Sequence, residues 1–208
     1  MMEIIPIQYG KTTIPESMCF INGCRQNRRS IVFKIYLIKT EEKLILADAG
    51  CETMSSFKMT NFIGTVGALK YININPEEIT DVVITHSHHD HIECVKYFKN
   101  ATVHIQKDEY IRGKKYIPSD FKLNIFDNEF TFKENIKVLK IAGHTEGSCI
   151  VEIKANDRIH VIVGDECYLR ECITNRIPTG SSFDPEASQK FIEKYSDEKY
   201  EILLCHDN

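Results

Sequence analysis

No stretch of this 208-residue chain approaches the run of ~20 apolar residues that a membrane-spanning helix requires. The opening segment, Met1 to Tyr9, has neither a basic patch nor a long apolar run, so no secretory leader is expected. The eight cysteines are scattered, with no CxxC pair. Without a leader they are expected to be reduced thiols, several buried as small hydrophobes, rather than a disulfide framework. A strong field of one sign is lacking as well. The chain has 26 basic and 30 acidic residues for a net charge of −4, and Lys114-Lys115 is too short a basic run to attract nucleic acid. Repeats, low-complexity tracts and Pro/Gly/Ser linkers are absent. These absences exclude a membrane protein, a disulfide-stapled module and a nucleic-acid binder. They lead to the expectation of a cytoplasmic globular protein, its oligomeric state undetermined, with residues 1–208 read as one domain. Hydrophobic and charged fractions of 42% and 27% are ordinary for such a protein, and a chain this long can bury a core without staples.

The hydropathy pattern then divides the chain. Ser30–Lys39 alternates as a half-buried strand does, and Lys43–Ala47 follows a Glu41-Glu42 turn, so the two read as a hairpin ended by Asp48-Ala49-Gly50. A helix weakened by Gly64 and Gly67 is expected within Ser55–Tyr71, and Pro76-Glu77-Glu78 starts another. Thr80–Thr85 is short and continuously apolar, as a strand buried on both faces is. Helices over His91–Phe98 and Lys107–Gly113 flank a strand at Thr102–Ile105. The second half holds strands at Glu129–Phe132, Lys137–Ile141, Cys149–Ile153, Arg158–Val163 and Glu201–Leu204. A helix capped by Asp184, with Pro185 in its first position, runs to about Tyr195. Strands in two groups, each with helices, imply an α/β protein of two sheets packed face to face with helices outside.

The chemistry concentrates in Thr85-His86-Ser87-His88-His89-Asp90-His91, directly after the buried strand. Strand ends are where a rigid scaffold delivers side chains into a site. In extended backbone His86 and His88 point the same way, and Asp90 and His91 follow at a turn. Imidazole and carboxylate are ligands that borderline metals accept. A solvated histidine-rich loop would look similar in isolation. Three more residues of the same type argue against it: His144 in Ala-Gly-His-Thr-Glu-Gly, Asp165 in Val-Gly-Asp, and His206 after the last strand, each just past a predicted strand.

His86-x-His88-x-Asp90-His91, Gly143-His144-Thr145, Gly164-Asp165 and Cys205-His206-Asp207, in that order, resemble the metallo-β-lactamase superfamily. Ala47-Asp48-Ala49-Gly50 resembles that family's early segment. The resemblance implies an αββα sandwich of two mixed sheets. It implies two divalent metal ions, zinc first, with iron or manganese also accepted by such ligands. His86, His88 and His144 would hold one ion, Asp90, His91 and His206 the other, and Asp165 would bridge them. His89, His104 and His160 are left over, with His89 expected to face solvent or to support the ligands. Two metals ~3.5–4 Å apart can clamp a bridging water and lower its pKa towards neutrality. Asp90 could then take up or deliver a proton.

Within that family the chain is closest in pattern to the N-acyl homoserine lactone lactonases, because Tyr168 follows Asp165 by three positions. A phenol there could hydrogen-bond a lactone carbonyl; the alternative is a packing tyrosine. The resemblance therefore implies a small-molecule substrate as the partner, and as the reaction opening of a lactone or cleavage of a related ester. Alternatives are a thioesterase of the glyoxalase II kind without its accessory domain, an iron-dependent redox enzyme of the same fold, or a non-catalytic metal-binding module. The chain departs from the family in having Glu146 where proline is common and Ser148 where a second histidine is frequent. Phe57, Met59, Phe62 and Ile63 could line an apolar substrate pocket or be ordinary core. Cys167 and Cys205, beside ligands, are read as buried inert thiols.

Overall fold

The computed structural model describes residues 2–132, 135–155 and 158–207. The chain forms two compact units, each assembled from two stretches: Met1–Lys11 with Phe33–Asp127, and Thr12–Val32 with Asn128–Asn208. It passes from one unit to the other within strand β1 (Glu3–Pro15), within β2 (Arg28–Lys39) and after Asp127.

The first unit is built on a six-stranded sheet in simple chain order, β1 and β2 followed by β3 (Leu44–Ala47), β4 (Asp81–Ile84), β5 (Thr102–Gln106) and β6 (Lys122–Phe126). β2 and β3 are the expected antiparallel hairpin, with Tyr36 opposite Ala47 and Lys39 opposite Leu44. From β3 to β6 every pairing is parallel. Parallel strands need crossover connections, and helical segments supply them at Gly64–Tyr71, at His89–Ile92 continuing as a 3-10 turn over Glu93–Tyr97, and at Lys107–Gly113. All four residues of β4 are buried, as a strand covered on both faces requires. The single helix expected over His91–Phe98 is instead this short helix and 3-10 turn, and it begins two residues earlier. β1 and β6 were not anticipated. Pro6 and Gly10 interrupt the pattern of β1, which lies at an edge of the sheet, where proline is tolerated.

The second unit carries a five-stranded sheet in the order β11-β10-β9-β8-β7, with β7 Glu129–Phe132, β8 Ile136–Lys140, β9 Cys149–Ala155, β10 Arg158–Ile162 and β11 Tyr200–Leu203. It is antiparallel except for β10 and β11, which run parallel. Two helices lie between those strands in sequence, Arg170–Asn175, which was not expected, and Pro185–Tyr195. Asp184 caps the latter, accepting from Glu186 N at 2.9 Å and Ala187 N at 3.1 Å. The helix buries Ser188, Phe191, Ile192 and Tyr195, an i, i+3, i+4, i+7 stripe. The Tyr195 hydroxyl donates to Glu152 of β9 at 2.6 Å. Among the described residues no helix is long and apolar enough to cross a membrane.

A polar thread crosses the parallel strands where β4 begins. Asn124 of β6 donates to His104 Nδ1 at 3.0 Å, and His104 Nε2 donates to Asp81 at 2.9 Å. Lys43 and Thr80 donate to the other Asp81 oxygen at 2.7 and 2.8 Å. His104, left over after the metal-type histidines are counted, is thus a structural donor. Burial alone would raise the Asp81 carboxyl, but the bonds from His104, Lys43 and Thr80 outweigh it and hold its pKa at about 2. The unfolded value is ~3.9. A folded-state pKa below the unfolded one stabilises above the unfolded value, and that contribution is lost as pH falls through the folded value. Urea unfolding should therefore find Asp81→Asn less stable than the native chain by about 2 kcal/mol near neutrality, with the difference shrinking between about pH 4 and pH 2. A difference that does not change with pH would contradict this.

Candidate metal centre

In the first unit the site begins at Asp48, just past β3. Its backbone is left-handed (φ 66°), its side chain is fully buried, and its amide donates to Val83 O of β4 at 2.8 Å. Asp and Asn are among the few residues that adopt this conformation readily. The carboxylate then faces the loop that leaves β4. Oδ1 accepts from Thr85 N at 2.8 Å, the Thr85 hydroxyl lies 2.9 Å from both oxygens, and Oδ2 accepts from His91 Nδ1 at 2.8 Å. With Nδ1 committed to a carboxylate, Nε2 is the His91 atom that can bind a metal; this is how proteins usually orient ligating histidines. Nε2 lies 3.6 Å from Asp90 Oδ2. His86 Nε2 and His88 Nδ1 converge to 3.0 Å with their ring planes at 85°. A second buried carboxylate, Glu109, accepts from Ser87 N at 2.7 Å and from its hydroxyl at 2.6 Å, pinning the residue between those two histidines.

His89 does not join the ligand atoms. Its Nε2 donates to Thr53 O at 2.7 Å, and Nδ1 lies 3.3 Å from the Tyr116 hydroxyl, so it ties the motif to two neighbouring segments. Among the residues expected to line a pocket, Phe57, Met59 and Phe62 are half-buried and Ile63 is 53% exposed, so none is core. Met59 and Phe62 pack where Gly10 has no side chain: a Cβ there would come 2.8 Å from Met59 Cε and 2.7 Å from Phe62 Cδ2.

The second unit contains His144, Asp165 and His206. Asp165 follows β10 through Gly164, whose backbone is left-handed (φ 53°). Its two oxygens face different imidazoles: Oδ2 lies 3.5 Å from His144 Nε2, and Oδ1 lies 2.9 Å from His206 Nε2. His206 follows β11, and its Nδ1 donates to Val32 O at 2.9 Å, which again directs Nε2 to the ligand role. The Tyr168 ring is buried, stacks on His206 (centroids 4.9 Å apart, planes at 17°) and meets His144 edge-on at 6.1 Å. His144 sits in a turn held by Glu166, whose Oε1 accepts from Gly143 N at 3.2 Å, His144 N at 3.3 Å and the Ser148 hydroxyl. Full burial pushes the Glu166 carboxyl up to about 7, against those three bonds, which lower it.

All eight cysteines are thiols. Cys167 and Cys205 are buried, and burial pushes the Cys167 thiol up, as an inert side chain requires.

The donor set fits divalent metal. The imidazoles of His86, His91, His144 and His206 are buried, that of His88 is exposed, carboxylate oxygens lie beside them, and the far ring nitrogens of His91 and His206 are engaged by Asp48 and by Val32 O. The histidines and aspartates singled out, His86, His88, Asp90 and His91 in the first unit and His144, Asp165 and His206 in the second, all belong to groups that could hold a metal ion. Sequence reasoning missed the three supporting carboxylates, Asp48, Glu109 and Glu166. Asp48 lay within the recognised Ala47–Gly50 segment and Glu166 adjoins Asp165, whereas nothing local marked Glu109.

A family model for the metallo-beta-lactamase superfamily matches residues 34–206. A probable metallo-hydrolase of Methanocaldococcus jannaschii is 31% identical over 153 residues, covering 74% of this chain and 68% of that protein. An N-acyl homoserine lactonase of Bacillus thuringiensis is 24% identical over 230 residues, covering 93% of this chain and 91% of the relative. Among solved structures, a quorum-quenching N-acyl homoserine lactone hydrolase superposes with a TM-score of 0.85 at 23% identity, covering 98% of this chain and 91% of that one. AidC, a dizinc quorum-quenching lactonase, gives a TM-score of 0.77 at 20% identity, covering 99% and 87%. The two mixed sheets with their helices are the metallo-beta-lactamase fold, and the protein is an enzyme, a metal-dependent hydrolase with a His/Asp metal site. With the family model spanning most of its length, the chain belongs to the metallo-beta-lactamase superfamily.

Proposed function

We propose that this protein is a two-metal hydrolase that opens a lactone or cleaves a related ester, with residues 1–208 working as a single domain in the cytoplasm. In this reading His86, His88 and His144 hold one ion, Asp90, His91 and His206 hold the other, and Asp165 bridges them. The observation that carries it is the Asp165 carboxylate, whose two oxygens each face a different imidazole, one from each ligand set. A bridging carboxylate needs that arrangement, and a one-metal site does not. Zinc is the metal of choice because imidazole and carboxylate suit it and because a relative of the same fold is a dizinc lactonase. When bound, a pair of divalent ions lowers the pKa of water towards neutrality and polarises a carbonyl.

The chain's own residues do the rest. Two carboxylates among seven ligands leave the charge of two divalent ions only partly compensated, which favours an oxyanion. Asp90 is the less buried of the two and is held by its backbone, the Tyr9 hydroxyl donating to Asp90 O at 2.8 Å. Its carboxylate is the group suited to accept a proton and return it to the leaving alkoxide. Tyr168 would aim its phenol at the substrate carbonyl, a role supported by its stacking on His206. Phe57, Met59, Phe62 and Ile63 would give an acyl chain an apolar surface. The lactonase names of the relatives support this substrate class.

Two experiments test the roles. Asp165→Asn should weaken metal binding at both positions, whereas His206→Ala should mainly empty one; loss of the same single ion from both variants would refute the bridge. Tyr168→Phe should keep its metal and lose ~10²–10³ in kcat on lactones, the usual cost of one oxyanion-type donor, with a smaller loss on activated aryl esters. Undiminished lactone turnover would return Tyr168 to a packing role and remove the main reason to prefer a lactone over a thioester.

A further inference from the structure

Ser148 stands where the family frequently has a second histidine, and its hydroxyl is spent on Glu166 rather than on a ligand role. Glu166 is fully buried. One of its oxygens collects three donors, all from the turn that carries His144: Gly143 N, His144 N and the Ser148 hydroxyl. The other oxygen, Oε2, is buried with no hydrogen-bond partner and lies where a side chain at Gly143 would be, since a Cβ there would come within 2.2 Å of it. The turn is closed by Ser148 as well, its carbonyl accepting from Ile141 N at 2.8 Å and Ala142 N at 3.0 Å, with Ala142 in the left-handed region (φ 61°). Glycine at 143, serine at 148 and glutamate at 166 therefore form one fitted set: the carboxylate needs the space of the glycine and the hydroxyl of the serine.

We infer that Glu166 is a positioning residue for His144, its buried carboxylate fixing the Gly143–Ser148 turn so that the imidazole faces Asp165. It touches neither substrate nor metal in this role; it acts through the backbone of the ligand. The inference rests on the metal reading above. Partners that orient metal ligands typically contribute 10–100-fold to metal affinity.

Zinc titration of metal-free protein by calorimetry, alongside circular dichroism to confirm folding, decides it. Glu166→Ala strands three donors and should weaken one zinc equivalent by ~10–100-fold. Glu166→Gln keeps an oxygen acceptor in the same place and should bind within a few-fold of the native chain. Ser148→Ala removes one donor and should give a smaller loss in the same direction; it also decides the matter if Glu166→Ala does not fold. Unaltered zinc affinity in Glu166→Ala, or in Ser148→Ala where the former is unfolded, would overturn the role. So would a Gln variant as impaired as the Ala variant. Failure of the native chain to take up zinc is a separate result, which would overturn the metal reading and this inference with it.

Discussion

Presenting the correct ring nitrogen of each histidine, beside the right carboxylate oxygen, is the constraint on which each unit of this molecule depends. His86 Nε2 and His88 Nδ1 lie 3.0 Å apart, and Asp165 Oδ1 lies 2.9 Å from His206 Nε2, which requires the loops that carry them to be held. In the first unit the constraint is met by Asp48 and Glu109, which together accept from Thr85, Ser87 and His91. In the second it is met by Glu166 and by the carbonyl of Val32. A buried carboxylate costs several kcal/mol of desolvation unless donors surround it. Each of these has at least two, so the cost is offset by charge-assisted bonds that also fix which nitrogen of a histidine is available. Glu166 collects its three donors on one oxygen, and burial lifts its carboxyl to about 7.

The sheets serve this arrangement by ending where the ligands begin. β4 is buried throughout and releases the chain at Thr85, while β10 and β11 run side by side and release it at Asp165 and His206. The thread from Asn124 through His104 to Asp81 ties the start of β4 to its parallel neighbours.

Much of this was legible in the sequence, and the exceptions have physical causes. The hairpin, the buried strand at Asp81 and the strands of the second sheet follow from two-residue alternation or from continuous apolar runs bounded by turns. The seven ligand candidates were legible because metal binding demands particular residue types just past strands. β1 was not, because Pro6 and Gly10 break its alternation, and neither was β6, whose Leu123 and Ile125 are exposed rather than alternately buried. The helix expected over His91–Phe98 gives way after Ile92 to a 3-10 turn, where Glu93 accepts from Glu52 N at 2.7 Å, a long-range contact that no local pattern reveals. Supporting carboxylates are hard to see in any sequence, since an Asp or Glu reads as surface until its donors are known. Phe57, Met59, Phe62 and Ile63 looked equally like pocket or core for the same reason; their partial exposure emerges only once β1 lies beside them.

The proposed hydrolase needs two metal ions on one chain. Elemental analysis combined with zinc titration of metal-free protein counts them. Two equivalents bound per chain, with both restored on adding metal back to stripped protein, is the predicted result. Saturation at one equivalent under those conditions would contradict the account.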